Sequence, residues 1–110
     1  MQKKLMNHFY RSLFSSHAWH RLAQRNLSVE DVWFVIDHGV PINRAGATFF
    51  FLGKGNIPSD LRSKNQYARL EGTVVVTNSD NHFVITVYRN RQTGFREIRS
   101  KETYYCMPSG

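Results

Sequence analysis

His17, Arg21, Thr86, Tyr88 and Arg89 supply one imidazole, two guanidinium groups and two hydroxyls. Together these groups suit a reaction that needs proton transfer and positive charge but no metal. RNA cleavage is such a reaction, because RNA carries its own nucleophile in the 2′-OH. The protein must then accept the proton of that hydroxyl, supply one to the leaving oxygen and stabilise charge on the phosphorane. His17 brings an imidazole, a group of the kind that serves as acid or base near neutral pH. Arg21 and Arg89 can clamp phosphate oxygens through their planar forks. Thr86 and Tyr88 can orient the phosphate or the sugar. DNA lacks the 2′-OH and is not a substrate by this route.

Each of these residues also has a plain structural reading. His17 at a helix start is an ordinary cap-region side chain, and Arg21 with Arg25 one turn on is a solvated helix face. Thr86 is a common β-former, and Tyr88 a half-buried edge residue. His17-x-x-His20 has a chelating spacing without an acid or cysteine to complete it, so no metal is expected. There is no Gly-rich phosphate loop and no Ser/His/Asp set at a recognisable spacing, and no cofactor is expected. The eight acids are scattered along the chain, which points away from a two-metal nuclease.

The charge balance sets the class of partner. Fifteen Lys and Arg against eight Asp and Glu leave +7 on 110 residues, a field that attracts polyanions. Ten of the fifteen cations are arginines, which favour phosphate recognition. RNA is therefore the expected partner, with Arg25, Arg91 and His82 as further nucleic-acid contacts. A non-catalytic basic module that binds nucleic acid or a protein partner is the competing reading. No apolar run approaches the ~20 residues of a membrane span, and no stretch has the face of a surface-inserting helix. The basic N-terminal residues are not followed by an apolar signal core, so a cytoplasmic location is expected. A single cysteine, Cys106, cannot form an internal disulfide.

The elements that must position these groups follow from periodicity. Apolar residues at 5, 6, 9, 10, 13 and 14 have helical spacing, so residues 3–14 are a helix or a lead-in. Residues 17–26 form a helix capped at Ser15-Ser16, with Ala18, Trp19, Leu22 and Ala23 on one side and His17, Arg21 and Gln24 on a separate stripe. A second helix starts at Ser28, where Asp31 three residues on makes a capping box. It buries Val32, Val35 and Ile36 and stops at Gly39, with Pro41 beyond. Strands are expected at 40–44, 48–52 and 73–77, and from 82 to 89 after a turn at 78–81. Residues 53–64 are a loop with a helical turn, and Tyr67–Leu70 begins the third strand. Phe95–Tyr105 can be an edge strand, a short helix or a docked tail.

Helices first and strands after argue a single α+β domain, with two or three N-terminal helices packed on one face of a four- to five-stranded antiparallel sheet. In the last strand Phe83, Ile85 and Val87 should meet the helices, leaving His82, Val84, Thr86 and Tyr88 towards water or a ligand. The domain core spans 16–90, and 92–110 form an edge strand or tail.

The stretch His17-Ala18-Trp19-His20-Arg21-Leu22-Ala23-Gln24-Arg25-Asn26-Leu27-Ser28-Val29-Glu30-Asp31-Val32 resembles the opening H-A-x-x-R-h-x-x-R-[GN]-[IL]-[ST]-x-x-[DE]-[IV] of domain-of-unknown-function family 4258. Val84-Ile85-Thr86-Val87-Tyr88-Arg89 is similar to that family's closing V-x-T-h-[YW]-[RK] strand. The resemblance covers roughly 16–90. It implies kinship with RelE-like and BrnT-like toxins, in the superfamily of small metal-independent ribonucleases that includes barnase and the colicin ribonucleases. It further implies endoribonuclease activity, an acidic antitoxin or immunity protein as partner, and functional roles for His17, Arg21 and Thr86.

Overall fold

A computed structural model of the chain describes residues 13–78, 83–91, 96 and 98. Among these residues two helices precede the sheet: α1 (Ser16–Arg25) and α2 (Val29–His38). Four strands follow, β1 (Val40–Arg44), β2 (Ala47–Phe51), β3 (Thr73–Asn78) and β4 (Val84–Arg89). They form an antiparallel meander in the order β1-β2-β3-β4. The connection from β2 to β3 carries a 3-10 turn, Lys54–Asn56, and the short helix α3 (Asn65–Ala68). The fold is α+β, as the order of periodicities requires. The third helix, however, lies between strands.

The helices form where polar side chains satisfy their open ends. Ser15 accepts from the Ala18 N–H at 2.9 Å, and Ser28 with Asp31 makes a reciprocal capping box. Glu30 and Asp31 place negative charge on the first turn of α2. Between the two helices Asn26 takes a left-handed conformation, φ 55°. Asparagine and glycine enter that region most readily, so either can end this helix.

The core lies between the helices and one face of the sheet. Ala18, Leu22, Val32 and Val35 meet Phe50, Val75, Val84 and Val87, with Leu52, Ile57 and Leu70 closing one end. Trp19 and Trp33 pack against this core at its border, each ring beside Phe14. The opposite face of the sheet carries a second cluster: Ala47, Phe49, Val74, Val76 and Ile98, flanked by Ile42, Phe51, Ile85 and Tyr88. The three consecutive phenylalanines of β2 thus supply both faces.

Three expectations need correction. Tyr67 and Ala68 are helical instead of opening a strand. Tyr67 and Leu70 are three apart, and Tyr67 stacks on Phe34 of α2 with ring centroids 4.8 Å apart. Val84 and Val87, not Phe83, Ile85 and Val87, face the helices. A register irregularity beside Val76 and Thr77 breaks the two-residue alternation, since Val76 pairs with Thr86 but Thr77 with Val84. Leu13 and Phe14 are not helical: Phe14 makes an isolated parallel bridge to Val84.

The rest of the expected helix at 3–14, the turn residues 79–81 and His82 lie outside the described residues. Of 92–110, only Arg96 and Ile98 are described, both with helical backbone. Among the described residues no helix is long and apolar enough to cross a membrane.

Candidate nucleic-acid interface

The site is framed by α1 and the edge strand β4, which run side by side. At the start of α1, Ser15 N–H donates to the Val84 carbonyl at 2.9 Å. Its hydroxyl donates to the Ile85 carbonyl at 2.7 Å. At the far end, Arg25, Asn26 and Leu27 share a hollow with Arg89 and Thr73. The helix therefore starts beside Ile85 and ends beside Arg89.

Ala18 and Leu22 point into the core, and Trp19 turns towards Phe14 and α2. Helical geometry puts His17, Arg21 and Gln24 on the other flank. There they form a chain of contacts. Arg21 Nε donates to His17 Nε2 at 3.4 Å, Arg21 Nη1 donates to Gln24 Oε1 at 3.2 Å, and Gln24 Nε2 lies 3.2 Å from His20 Nε2. Both His17 and Arg21 are half-buried. The bond from Arg21 requires a lone pair on His17 Nε2, hence the tautomer protonated at Nδ1.

The hollow at the end of α1 has a volume of about 290 Å³ and is lined by Gln24, Arg25, Asn26, Leu27, Arg69, Thr73 and Arg89. Its arginines are held in different ways. Arg69 Nη2 is 2.8 Å from Asp31 Oδ2, the oxygen that also receives the Ser28 N–H in the capping box. Arg89 donates through Nε to the Glu71 carbonyl at 3.2 Å and through Nη2 to the Arg69 carbonyl. Arg91, outside the lining, also donates to the Glu71 carbonyl. The Arg89 guanidinium is held below its ordinary pKa, first by burial and then by the like charge of Arg91. Arg25 and Arg69 add to the repulsion and Glu71 opposes it. Arginine remains protonated at neutral pH despite this.

Not all the expected residues converge. Arg25 and Arg89 lie in the hollow, and His17 and Arg21 lie along the adjoining flank of α1. Thr86 and Tyr88 pair with Val76 and Val74, whose side chains belong to the second cluster, so they sit on the sheet face opposite α1. Both are half-buried, and Tyr88 packs against that cluster. Arg91 is exposed beside the hollow, and His82 lies outside the described residues. Gln24 was placed by spacing on the stripe with His17 and Arg21, whereas Arg69, Thr73 and Asn26 were not singled out by spacing. Arg69 reaches the hollow through an ion pair with a residue 38 positions earlier, which no local pattern reports. Among the described residues no three His, Cys, Asp or Glu side chains gather to hold a metal.

The frame of two capped helices and a four-stranded meander coincides with one sequence family. Residues 14–89 match the family described as domain of unknown function (DUF4258). The chain belongs to the DUF4258 family. Its matched span opens at Phe14, which bridges to β4, and closes at Arg89, which lines the hollow. The DUF4258 region therefore contains every residue of that hollow and both members of the His17–Arg21 pair. No curated protein and no solved structure matches the chain.

Proposed function

We propose that this chain is a metal-independent endoribonuclease of toxin type, related to the RelE-like and BrnT-like toxins and the wider barnase and colicin ribonuclease superfamily. The observation that carries the reading is the His17–Arg21 contact on the half-buried flank of α1. It joins an imidazole, whose Nε2 lone pair accepts the bond, to a guanidinium, beside a hollow lined by three further arginines. An incoming phosphate draws Arg21 towards its oxygens and frees His17 Nε2. That nitrogen takes the 2′-OH proton as the 2′-oxygen bonds to phosphorus, and the P–O5′ bond breaks as the 5′-oxygen takes a proton from solvent water, the imidazolium later returning its own proton to solvent. The products are a 2′,3′-cyclic phosphate and a 5′-hydroxyl. Arg21 stabilises the phosphorane. In this reading Arg89 serves to orient the strand, Thr86 and Tyr88 take no part because they lie on the opposite face of the sheet, and an acidic antitoxin or immunity protein is the partner that covers the basic surface.

The test is incubation with single-stranded RNA in EDTA. The wild type is expected to cleave, and His17→Ala and Arg21→Ala to lose about a hundredfold or more, the usual scale of a proton-transfer group. No cleavage by the wild type, or cleavage by both variants undiminished from the wild type, defeats the proposal.

One observation favours a second reading, a non-catalytic nucleic-acid-binding module. The lining of the hollow contains neither an imidazole nor a carboxylate. That reading expects salt-sensitive RNA binding without scission.

A further inference from the structure

We propose that the hollow formed by Arg25, Arg69, Arg89 and Thr73 is a seat for a backbone phosphate of a single-stranded nucleic acid, separate from the phosphate that lies at His17. The inference rests on the nucleic-acid reading of this surface but not on cleavage.

The argument begins with charge. Three guanidinium groups border one hollow; Asp31 pairs with Arg69, and Glu71 offsets only part of what holds the Arg89 pKa down. Arg89 is fixed by two backbone carbonyls, which aim it without neutralising it. No hydrogen bond or ion pair ties Arg25 to another described residue. Gathering like charges around a partly buried space is unfavourable unless an anion enters; burial first, then Arg91, and after them Arg25 and Arg69 hold the Arg89 guanidinium below its ordinary pKa.

The donors that remain suit a phosphate. Of the five N–H groups on a guanidinium, Arg89 uses two and Arg69 one in the bonds described. Arg25 uses none of its five on the described residues. Thr73 adds a hydroxyl at the floor, where it is only 3 % exposed. The volume, about 290 Å³, lies near the lower end of the ~300–1,000 Å³ typical of small-ligand pockets.

The hollow is also built, not incidental. Gly72 has φ +86°, and a Cβ there would lie 2.6 Å from Arg91 Cγ and 2.8 Å from its Cα. Only glycine lets the chain leaving β4 cross so closely, with Asn90 N–H bonded to the Gly72 carbonyl at 2.9 Å. Asp31 works at both ends, since one oxygen holds the N-terminus of α2 and orients Arg69.

Distance separates this seat from His17. Arg25 is eight residues further along α1, about 12 Å at 1.5 Å per residue. One phosphate does not span that length, whereas successive phosphates of one strand do. The ligand is therefore an oligonucleotide and not a mononucleotide.

The test is fluorescence anisotropy with an eight-nucleotide single strand of 2′-deoxy sugars, which lacks the internal nucleophile and so reports binding whether or not the protein cleaves RNA. Arg69→Gln and Arg89→Gln are each expected to weaken binding about tenfold or more, the scale of a charge-assisted hydrogen bond. Arg44→Gln removes the same charge at the opposite edge of the sheet and is expected to change affinity less than twofold. The wild type should bind a nucleoside monophosphate at least tenfold more weakly than the octamer. Equal losses in all three variants would mean a diffuse field in place of a seat, and equal affinity for monomer and octamer would remove the second contact; either overturns the proposal. Because the variants can disturb folding, inorganic phosphate is also titrated into the wild type by NMR. Saturable shifts of the Arg25, Arg69 and Arg89 Nε–H signals and the Thr73 amide are expected, and their absence overturns it. Loss of the ribonuclease reading alone, seen as no RNA cleavage in EDTA, leaves these results standing.

Discussion

Gly39 ends α2 with its N–H on the Val35 carbonyl at 2.7 Å, in an extended conformation (φ −72°) that any residue adopts. Its constraint is space. A Cβ there would lie 2.5 Å from the Val35 oxygen and 3.0 Å from the Phe51 oxygen. Gly39→Ala is expected to destabilise the protein by about 1–3 kcal/mol, the range for overpacking, measured by urea denaturation. Gly46 is the reverse case, with open space around it but φ +77°. The glycine stop was legible in the sequence, whereas its reason depends on how closely β2 passes. The same divide runs through the candidate site. His17 and Arg21 are four apart on one helix, so their contact follows from helical geometry. Arg69 joins Arg25 and Arg89 only through tertiary packing.

At the scale of elements, one hydroxyl does two jobs. Ser15 accepts from Ala18 N–H to start α1 and donates to the Ile85 carbonyl to hold that helix on β4. Ser28 caps α2 without any bond to the sheet among its described contacts. Ser15→Ala is therefore expected to cost about 2 kcal/mol, a cap plus one further hydrogen bond, against about 1 kcal/mol for Ser28→Ala. Thermal unfolding of the two variants checks the ranking, and equal shifts in Tm would contradict it. Both caps were legible, because a cap is written in a few adjacent residues. The facing of β4 was not. Strict alternation assigns Ile85 to the helices, and the irregular pairing beside Val76 and Thr77 puts Val84 there instead. A bulge belongs to a pair of strands, so one strand read alone does not reveal it.

At the scale of the whole molecule, the α+β order was legible because the period of apolar residues changes after Gly39. The second core was not. The far face of the sheet looked polar from β4 alone, yet Phe49, Val74 and Val76 of β2 and β3 bury themselves there with Ile98. Ile98 is fully buried. Ile98→Ala is expected to cost about 2–5 kcal/mol, as a truncation inside a packed cluster does. Denaturant titration measures this, and a loss below 1 kcal/mol would mean that Ile98 adds little to the sheet.

Ile98 also lies nine residues past the last matched position, Arg89. A gene fragment trimmed to 14–89 would keep every arginine of the hollow but strip an apolar lid from Phe49, Val74 and Val76. Such a fragment should stick to itself in solution. Poor behaviour on its part would reflect a bared sheet and would say nothing about RNA.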